Sequence, residues 1–253
     1  MKNLPKFSIA AAALLVSGLA SAATISLTGT LRDIDVAHPD FENMCCSAQT
    51  GLVLNTLGVD GTPVYNAANG SGYITSAASF ADWYSSSYGP YVLGEKSLSL
   101  TLDNGGSGNT YSYANGSFFP LDGQLGGNQG YGHNYHFTFR LNTSFTYQAG
   151  QNFTFTGDDD VWVFIDGKLV IDLGGVHGAM SQGVNLDTLG LTNGNDYAFD
   201  LFFAERHTTD SNFRIDTSIL LKPTQQDVPA PATVLLLGMG LLGLAAARRK
   251  ALA

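Results

Sequence analysis

The sequence predicts an all-β fold, and three observations on the 253-residue chain support this prediction. Apolar and polar residues alternate with a period of two through the middle of the chain, as they do in half-buried strands. The chain holds 30 glycines, 15 phenylalanines and 11 tyrosines. Only 13% of the residues are charged. This composition is typical of a loop-rich extracellular protein whose strands are joined by glycine-containing turns.

The alternation identifies individual strands. It is clearest around Phe137, Phe153 and Phe213, where aromatic and β-branched residues alternate with polar ones. Further strands are predicted over residues 25–31, 96–102, 109–113 and 197–203. Apart from the two chain ends, helical periodicity is expected only around residues 77–84.

The clearest hairpin joins Val161–Ile165 to Lys168–Asp172 through an Asp-Gly pair, which favours a two-residue type I′ turn. The turn predicts three cross-strand pairs: Ile165 with Lys168, Phe164 with Leu169, and Trp162 with Ile171. It also predicts one core-facing set of side chains: Trp162, Phe164, Leu169 and Ile171. Because the opposite face is apolar as well, we expect the hairpin to lie centrally in its sheet and to be covered on both sides.

Residues 1–22 are predicted to be a signal peptide, so the chain is expected to be exported. Lys2 and Lys6 give a positive start, Phe7–Leu19 is a short apolar run, and Ala20-Ser21-Ala22 is a cleavage site of the A-x-A type. A membrane anchor is the alternative, but an apolar run of 13 residues is too short to span a bilayer comfortably.

The C-terminal segment carries a second apolar run, Thr233–Ala247, followed by the basic cluster Arg248-Arg249-Lys250. A helix of this length reaches about 22 Å, less than the bilayer's apolar thickness of about 30 Å. The basic cluster is expected to stay on the cytoplasmic side of the membrane. The run therefore predicts a marginal transmembrane helix that leaves the folded part of the chain outside.

The segment Val228–Pro231, the short apolar run and the arginine pair resemble the PEP-CTERM sorting signal of Gram-negative bacteria that make exopolysaccharides. Ala230 stands where the commonest form of this signal has Glu. The resemblance implies that residues 228–253 anchor the protein transiently in the inner membrane until an exosortase-type protease processes them. The mature protein would then reach the cell surface or the medium. An ordinary C-terminal anchor is the alternative.

The central segment, residues 23–227, is strongly acidic, with 21 acidic residues, seven basic residues and a net charge of −14. This charge favours cation binding and solubility, and it argues against a nucleic acid as partner. Cys45 and Cys46 are adjacent and are the only cysteines. A relaxed disulfide cannot join neighbours, which leaves a strained vicinal disulfide, an intermolecular bridge or two free thiols. Two cysteines alone are too few for a structural zinc site.

The strongest candidate for a ligand site is Asp158-Asp159-Asp160, directly before the hairpin. Three neighbouring carboxylates repel one another unless something neutralises them, and hard cations such as Ca²⁺ bind several carboxylate and carbonyl oxygens. Consecutive strand residues point to opposite faces, so two neighbouring acids reach one ion only if the backbone kinks there. The alternative is a solvated acidic turn.

A series of phrases resembles the fibro-slime domain family and covers most of residues 30–220. The phrases are His38–Glu42, Phe118–Gly123, His136–Phe139, Phe153–Gly167, Asp172–His177 and Phe202–Thr209. That family is related to the protective-antigen-type β-sandwich of flocculins, toxins and parts of some glycosidases. The resemblance implies one protective-antigen-like β-sandwich over residues 23–227, with flexible hydrophobic segments at both ends of the chain.

In the lectin members of this fold, two successive acids joined by a cis peptide hold a Ca²⁺ that binds sugar hydroxyls. Counting back from Asp166-Gly167 places these acids at Asp158 and Asp159. Asp160 stands where the lectins usually carry Gly, and it is expected to be a further ligand or to face solvent. The resemblance therefore implies Ca²⁺ as a cofactor and a polysaccharide or glycan as ligand.

The lectins complete their calcium site from a loop between the last strands, which corresponds here to residues 206–212. Asn212 is the best candidate ligand in this loop, and Asp210 is the next. Further candidates for contact with a ligand are His177, Trp162, Glu205, Arg206 and His207. The alternatives are structural: hydrogen bonds within a glycine loop for His177, an internal ion pair for the cluster 205–207, and the core for Trp162.

The sequence therefore predicts a secreted or cell-surface protein that binds carbohydrate with calcium in an extracellular or biofilm matrix. The alternative is a non-catalytic structural matrix protein in which calcium only stabilises loops. No catalytic role is expected, because the chain lacks Gly-x-Ser-x-Gly, His-Glu-x-x-His and phosphate-loop motifs. In glycosidases, the related domain is an accessory module.

Overall fold

A computed structural model describes residues 22–42, 47–106 and 108–224. The predicted sorting signal, the cysteine pair and all but the last residue of the predicted signal peptide lie outside these residues. Within the described ranges, no helix is both long and apolar enough to cross a membrane.

The fold is all-β, as predicted. Within the described residues, the ten strands are β1 (Thr24–Ile34), β2 (Val92–Asp103), β3 (Tyr111–Asn115), β4 (Phe137–Thr146), β5 (Asn152–Gly157), β6 (Asp160–Ile165), β7 (Lys168–Leu173), β8 (Met180–Asn185), β9 (Asp196–Glu205) and β10 (Phe213–Thr217). The same part of the chain holds one α-helix, α1 (Ala77–Tyr84), which begins at a Ser76–Ser79 capping box, and Leu186–Leu189 form a 3₁₀ turn. Sequence analysis missed β8, because its sequence Met-Ser-Gln-Gly-Val-Asn lacks regular alternation.

The strands form an antiparallel sheet in the order β7-β6-β9-β4-β1-β2-β3-β10-β5-β8. Only one residue pair, Asp103 with Ser112, joins β2 to β3, so the sheet divides there into two layers. The layers face each other across an aromatic core. The ring of Phe203 on β9 lies 5.2 Å from that of Phe213 on β10, and Phe199 lies 5.0 Å from Phe153 on β5. The arrangement is a β-sandwich.

A third layer covers the outer face of β6 and β9. Helix α1 places Trp83 with its ring centroid 6.1 Å from that of Trp162, and Tyr84 lies 5.0 Å from Phe202. The side chains of Trp83, Trp162 and Phe202 are fully buried. Strand β6 is therefore covered on both faces, as predicted. The expectation that the hairpin lies centrally is wrong, because β7 is the edge strand of the sheet and most of its residues are only partly buried or exposed.

The predicted register of this hairpin is wrong beyond its first two pairs. Phe164 pairs with Leu169 as expected, but a bulge follows, so that Val163 pairs with Ile171 and Trp162 with Asp172. Ile171 therefore faces the core between the sheets, and the opposite face takes Trp162. The bulge brings Asp172 opposite Trp162, whose indole N–H donates to Asp172 Oδ1 at 3.0 Å.

Candidate functional site

The β5–β6 junction meets two loops at one end of the sandwich: residues 174–179 between β7 and β8, and residues 206–212 between β9 and β10. Together they surround an open cavity of about 490 Å³. The lining residues are Ser47, Asp158, Asp159, Val176, His177, Gly178, His207, Thr208, Thr209 and Asp210. Three residues predicted from the sequence as calcium or glycan ligands thus line one cavity with the first two acids: His177, His207 and Asp210. Asn212 does not line the cavity, but its side chain is hydrogen-bonded to Asp158.

The backbone kinks between β5 and β6, as two neighbouring acids would require. Asp159 has a φ of 49°, in the left-handed region that non-glycine residues seldom adopt. Gly157, just before the kink, has no room for a side chain, because a Cβ there would overlap the main-chain oxygen of Asn212. This close approach seats the 206–212 loop against the acids.

Asp158 is held by Asn212. The main-chain N–H of Asn212 donates to Asp158 Oδ1 at 2.5 Å, and its side-chain amide donates to Oδ2 at 2.6 Å. Burial raises the pKa of Asp158, while these hydrogen bonds oppose the rise. The structure therefore brings together two residues that the resemblance implied as ligands of one ion.

Asp159 accepts hydrogen bonds from both loops. The N–H groups of Arg206 and His207 donate to Oδ2 at 2.9 and 3.1 Å, and the N–H of His177 donates to Oδ1 at 3.2 Å. Burial raises the pKa of Asp159 to about 6, and the nearby charge of Arg206 counteracts this effect. One carboxylate thus fixes the positions of both loops around the cavity.

Asp160 does not line the cavity, and the expectation that it could face solvent is wrong. Its carboxylate is fully buried, with Oδ2 2.5 Å from Nε of Arg206 and Oδ1 accepting from the N–H of Gly175 at 2.8 Å. Because β6 begins at Asp160, its side chain points to the face opposite Asp159 and meets the interior of the domain.

Arg206 and Glu205 are both fully buried. The guanidinium of Arg206 also donates to the carbonyls of Asp40 and Tyr73 at 3.0 and 2.8 Å and lies 4.9 Å from the Trp83 ring centre. Arg206 thus forms the internal ion pair that was the structural alternative for its cluster. A ligand in the cavity could reach its side chain only if the surrounding residues moved.

Glu205 adds a further acid behind the site. Its polar neighbours are the buried Ser211 hydroxyl and the Asp159 carboxyl group, but its carboxylate oxygens form no well-aligned hydrogen bond within the described part of the chain. Burial, and then the charge of Asp159, raise the pKa of Glu205 well above its ordinary value. Four carboxyl groups, at Asp158, Asp159, Asp160 and Glu205, are therefore buried beside a single guanidinium.

The remaining predicted residues fall into two groups. His177 and His207 are partly exposed at the cavity wall, and Asp210 is exposed at its rim. The ring of His177 has both nitrogens near main-chain carbonyls, 2.9 Å from Gly178 O and 3.2 Å from Leu173 O, so it also braces its own loop. Trp162, in contrast, is fully buried and does not line the cavity.

Asp158, Asp159 and Asn212 offer side-chain oxygens, the kind of ligand that a hard cation takes. Among residues 22–42, 47–106 and 108–224, no three His, Cys, Asp or Glu side chains converge as a ready metal cluster. A cation between Asp158 and Asp159 would therefore also draw on the Asn212 amide and on main-chain oxygens, the mixture that Ca²⁺ accepts. A carboxylate has about four acceptor positions, and protein hydrogen bonds occupy two at Asp158 and three at Asp159.

Sequence reasoning missed Glu42 and His136, which support the 206–212 loop from behind. Glu42 accepts from the Thr208 hydroxyl at 3.1 Å and lies 3.0 Å from the ring nitrogen Nε2 of buried His136. Glu42 has a φ of 41°, so its backbone is held in a strained conformation. The signal was present, because Glu42 ends one of the phrases and His136 begins another, but nothing local shows that the two meet.

Residues 125–231 match the PA14 domain, and residues 227–250 match the PEP-CTERM protein-sorting motif. The PA14 match contains the acids and both cavity loops, and it confirms the protective-antigen-type resemblance for that part of the chain. The fibro-slime assignment stays a prediction. The sorting motif indicates export and membrane-associated processing in a bacterium.

Curated relatives occur in Dictyostelium discoideum. Protein psiR is 42% identical over 205 residues, which cover 75% of this chain and 20% of psiR. Protein psiC is 40% identical over 226 residues, which cover 81% of this chain and 43% of psiC. The chain thus spans less than half the length of these relatives.

Solved structures of similar proteins are more distant. A PA14 sugar-binding domain from an RTX adhesin has 14% identity and a TM-score of 0.36, over 78% of this chain and 91% of that domain. The A domain of epithelial adhesin 9 from Candida glabrata, solved with Galb1-4GlcNAc, has 14% identity and a TM-score of 0.32, over 80% of this chain and 85% of that domain.

Proposed function

We propose that this protein binds carbohydrate through calcium at the cell surface or in the extracellular matrix of the bacterium that exports it. The observation that carries the proposal is the pair of adjacent carboxylates, Asp158 and Asp159, at the base of an open polar cavity. Asn212 and the loop amides hold the two carboxylates in fixed positions. This supports calcium binding, because a rigid set of oxygens selects a hard cation. The PA14 match, which contains the whole cavity apart from Ser47, supports the carbohydrate class.

The charge balance favours a cation over an empty site. Four buried carboxyl groups face one buried guanidinium, and a buried charge without a partner is costly. The protein can lower this cost by binding protons, as the raised pKa values of Asp159 and Glu205 indicate, or by binding a cation. A divalent ion would neutralise Asp158 and Asp159 together.

The cavity suits a polar ligand such as a sugar. Its wall carries the side chains of Thr208, Thr209 and His207, and Asp210 lies exposed at the rim. When calcium is bound, it supplies coordination to ligand hydroxyls, and these side chains would add hydrogen bonds that select among sugars. The proposal gives the carboxylates no catalytic role.

A second function has an observation in its favour. Asp158 and Asp159 are only 3% and 4% exposed, and their hydrogen bonds already join β5, the 174–179 loop and the 206–212 loop. In this second function, calcium bound at this position would serve only to stiffen the loops of a structural matrix protein. The two functions differ in whether a bound cation keeps a coordination position open to the cavity.

The route to the surface is part of the proposal. The predicted signal peptide would direct export, and the C-terminal segment would hold the protein in the inner membrane until an exosortase-type protease cuts it. The match of residues 227–250 to the sorting motif supports this route.

The test is calcium titration of the full-length chain by calorimetry. Asp158→Asn with Asp159→Asn should weaken calcium binding at least about tenfold, because the substitution removes charge with little change of shape. Asp196→Asn, at an exposed position at the start of β9, is the matched control and should bind as the wild type does. Wild-type protein that binds no calcium would reject the proposal.

A glycan array, run with calcium and again with chelator, then separates the two functions. Carbohydrate binding requires glycan signals that disappear with chelator and in the double variant. Calcium binding without any calcium-dependent glycan signal would favour the structural function.

A further inference from the structure

A second polar groove lies on the outer face of β1 and β4, apart from the cavity around Asp158. It consists of two adjoining cavities of about 330 and 650 Å³ that share Thr30 and Arg140. Neither shares a lining residue with the first cavity. The two cavities are continuous through Thr30 and Arg140, an arrangement that fits a polymer better than a small compact ligand.

The groove holds three basic residues of a domain that is otherwise acidic, together with the carboxylate of Glu95. Arg32, Arg140 and Lys222 line it, and they are three of the seven basic residues between positions 23 and 227. Arg32 is paired with Glu95 at 2.6 Å, and Lys222 is paired with Asp196 at 2.7 Å.

Arg140 differs from the other two cations. Its Nε donates to Asn142 Oδ1 at 2.7 Å, and its Nη2 donates to the Gly61 carbonyl at 3.1 Å. In the described part of the chain, no carboxylate lies within ion-pair distance of Arg140, although the charges of Asp200 and Asp60 act on it, and its Nη1 forms no hydrogen bond there. A guanidinium held in place at two nitrogens, with the third free, is a pre-oriented donor for an anionic group.

An aromatic surface lies at one end of the groove. The ring of Tyr88 lies 4.5 Å from the guanidinium carbon of Arg32, and Tyr88 is 47% exposed. Nearby Tyr84 also lines the groove, and its buried hydroxyl has no hydrogen-bond partner among the residues that the structure describes. Tyr88 offers a flat face to a sugar ring, while the outward hydroxyl of Thr30 suits hydrogen bonding.

We propose that this groove is a second, calcium-independent binding site for a polysaccharide that carries carboxylate groups. Arg140 would bind a carboxylate, Tyr88 would contact the face of a sugar ring, and groove hydroxyls would bind sugar hydroxyls. A bulky apolar ligand does not fit, because the groove is lined mainly by polar side chains. The site goes beyond the calcium function and does not depend on it.

The test measures binding of the full-length chain to polygalacturonate in the presence of EDTA. The matched ligand is the fully methyl-esterified polymer, which has the same sugar rings but no carboxylate charge. Wild-type protein should bind the acidic polymer and bind the ester at least about tenfold more weakly. Arg140→Gln should lose about tenfold in affinity for the acidic polymer, and Tyr88→Ala should weaken binding to both polymers.

Controls separate this site from general charge and from the calcium site. Arg214→Gln removes an exposed guanidinium on β10, outside the groove, and should bind as the wild type does. The double variant at Asp158 and Asp159 should also retain binding in EDTA. The proposal is overturned if wild-type protein does not bind the acidic polymer, if Arg140→Gln and Arg214→Gln weaken binding equally, or if the double variant abolishes it.

Discussion

Nε of Arg206 lies 2.5 Å from Oδ2 of Asp160, and both side chains are fully buried. The main-chain N–H of the same arginine donates to Asp159 at 2.9 Å. One residue directly after β9 therefore holds two successive acids, one through its side chain and one through its backbone. The pair joins the domain interior to the base of the cavity, so the geometry of the candidate site depends on a residue that does not line it.

The first prediction concerns this pair. Arg206→Gln should lower the free energy of unfolding by about 3–5 kcal/mol, because it leaves the buried charge of Asp160 without its partner. Arg214→Gln breaks an exposed pair with Asp216 and should cost at most about 1 kcal/mol. Chemical denaturation of both variants provides the comparison. Equal losses would show that the buried pair adds nothing beyond an ordinary surface pair.

The second prediction concerns the close approach at Gly157. Gly157→Ala should cost about 1–3 kcal/mol in unfolding free energy, because the added Cβ would overlap the main-chain oxygen of Asn212. Since Asn212 also holds Asp158, calcium affinity should fall in the same variant. Gly132→Ala is the control, because a Cβ there meets no atom within 4 Å. Unchanged calcium affinity in Gly157→Ala would show that calcium binding does not depend on the position of Asn212.

Much of the fold could be predicted because local patterns determine it. Alternation located nine of the ten strands, and the Asp-Gly turn fixed the first pairs of the β6–β7 hairpin. The bulge that moved Ile171 to the other face could not be predicted, because the partner that favours it, Asp172 beneath the indole of Trp162, becomes visible only in three dimensions.

The candidate site, like the fold, could be predicted only in part. Asp158, Asp159 and Asn212 could be located through a resemblance, and the kink at Asp159 follows from the geometry of neighbouring acids. The pairing of Asp160 with Arg206 could not be predicted, because 45 residues separate them and several segments must pack before they meet. A carboxylate in the sequence carries no sign of whether it will face a cavity or the core.

The third prediction tests the core around the hairpin. Trp162→Ala should lower the free energy of unfolding by about 3–5 kcal/mol, since Trp162 is fully buried against α1. Trp162→Phe keeps an aromatic ring but loses the hydrogen bond to Asp172, and it should cost less. Denaturation midpoints for both variants distinguish packing from hydrogen bonding. A wild-type midpoint in Trp162→Ala would mean that the indole is not part of the core.

The last prediction concerns pH, and it rests on His38, which is fully buried. Its Nε2 lies 3.2 Å from the carbonyl of Ser79, and its Nδ1 accepts from the N–H of Asp40 at 3.1 Å. This geometry suits a neutral ring with the proton on Nε2. Burial lowers the pKa of His38 below its ordinary value of 6.5, while the charges of Asp40 and Asp82 oppose the shift and that of Arg206 adds to it.

A histidine with a lowered pKa in the folded state makes the protein less stable as the pH falls. Below pH 6.5 the unfolded chain binds a proton at His38 that the folded protein does not, so each pH unit costs up to about 1.4 kcal/mol until the folded pKa is reached. His38→Gln cannot titrate and keeps a donor for Ser79. Between pH 7 and pH 5 the wild type should therefore lose more unfolding free energy than the variant. The stability advantage of the wild type over His38→Gln should become smaller over this range. Parallel pH curves for the two proteins would contradict the assignment, because they would mean that His38 titrates alike in the folded and unfolded chains.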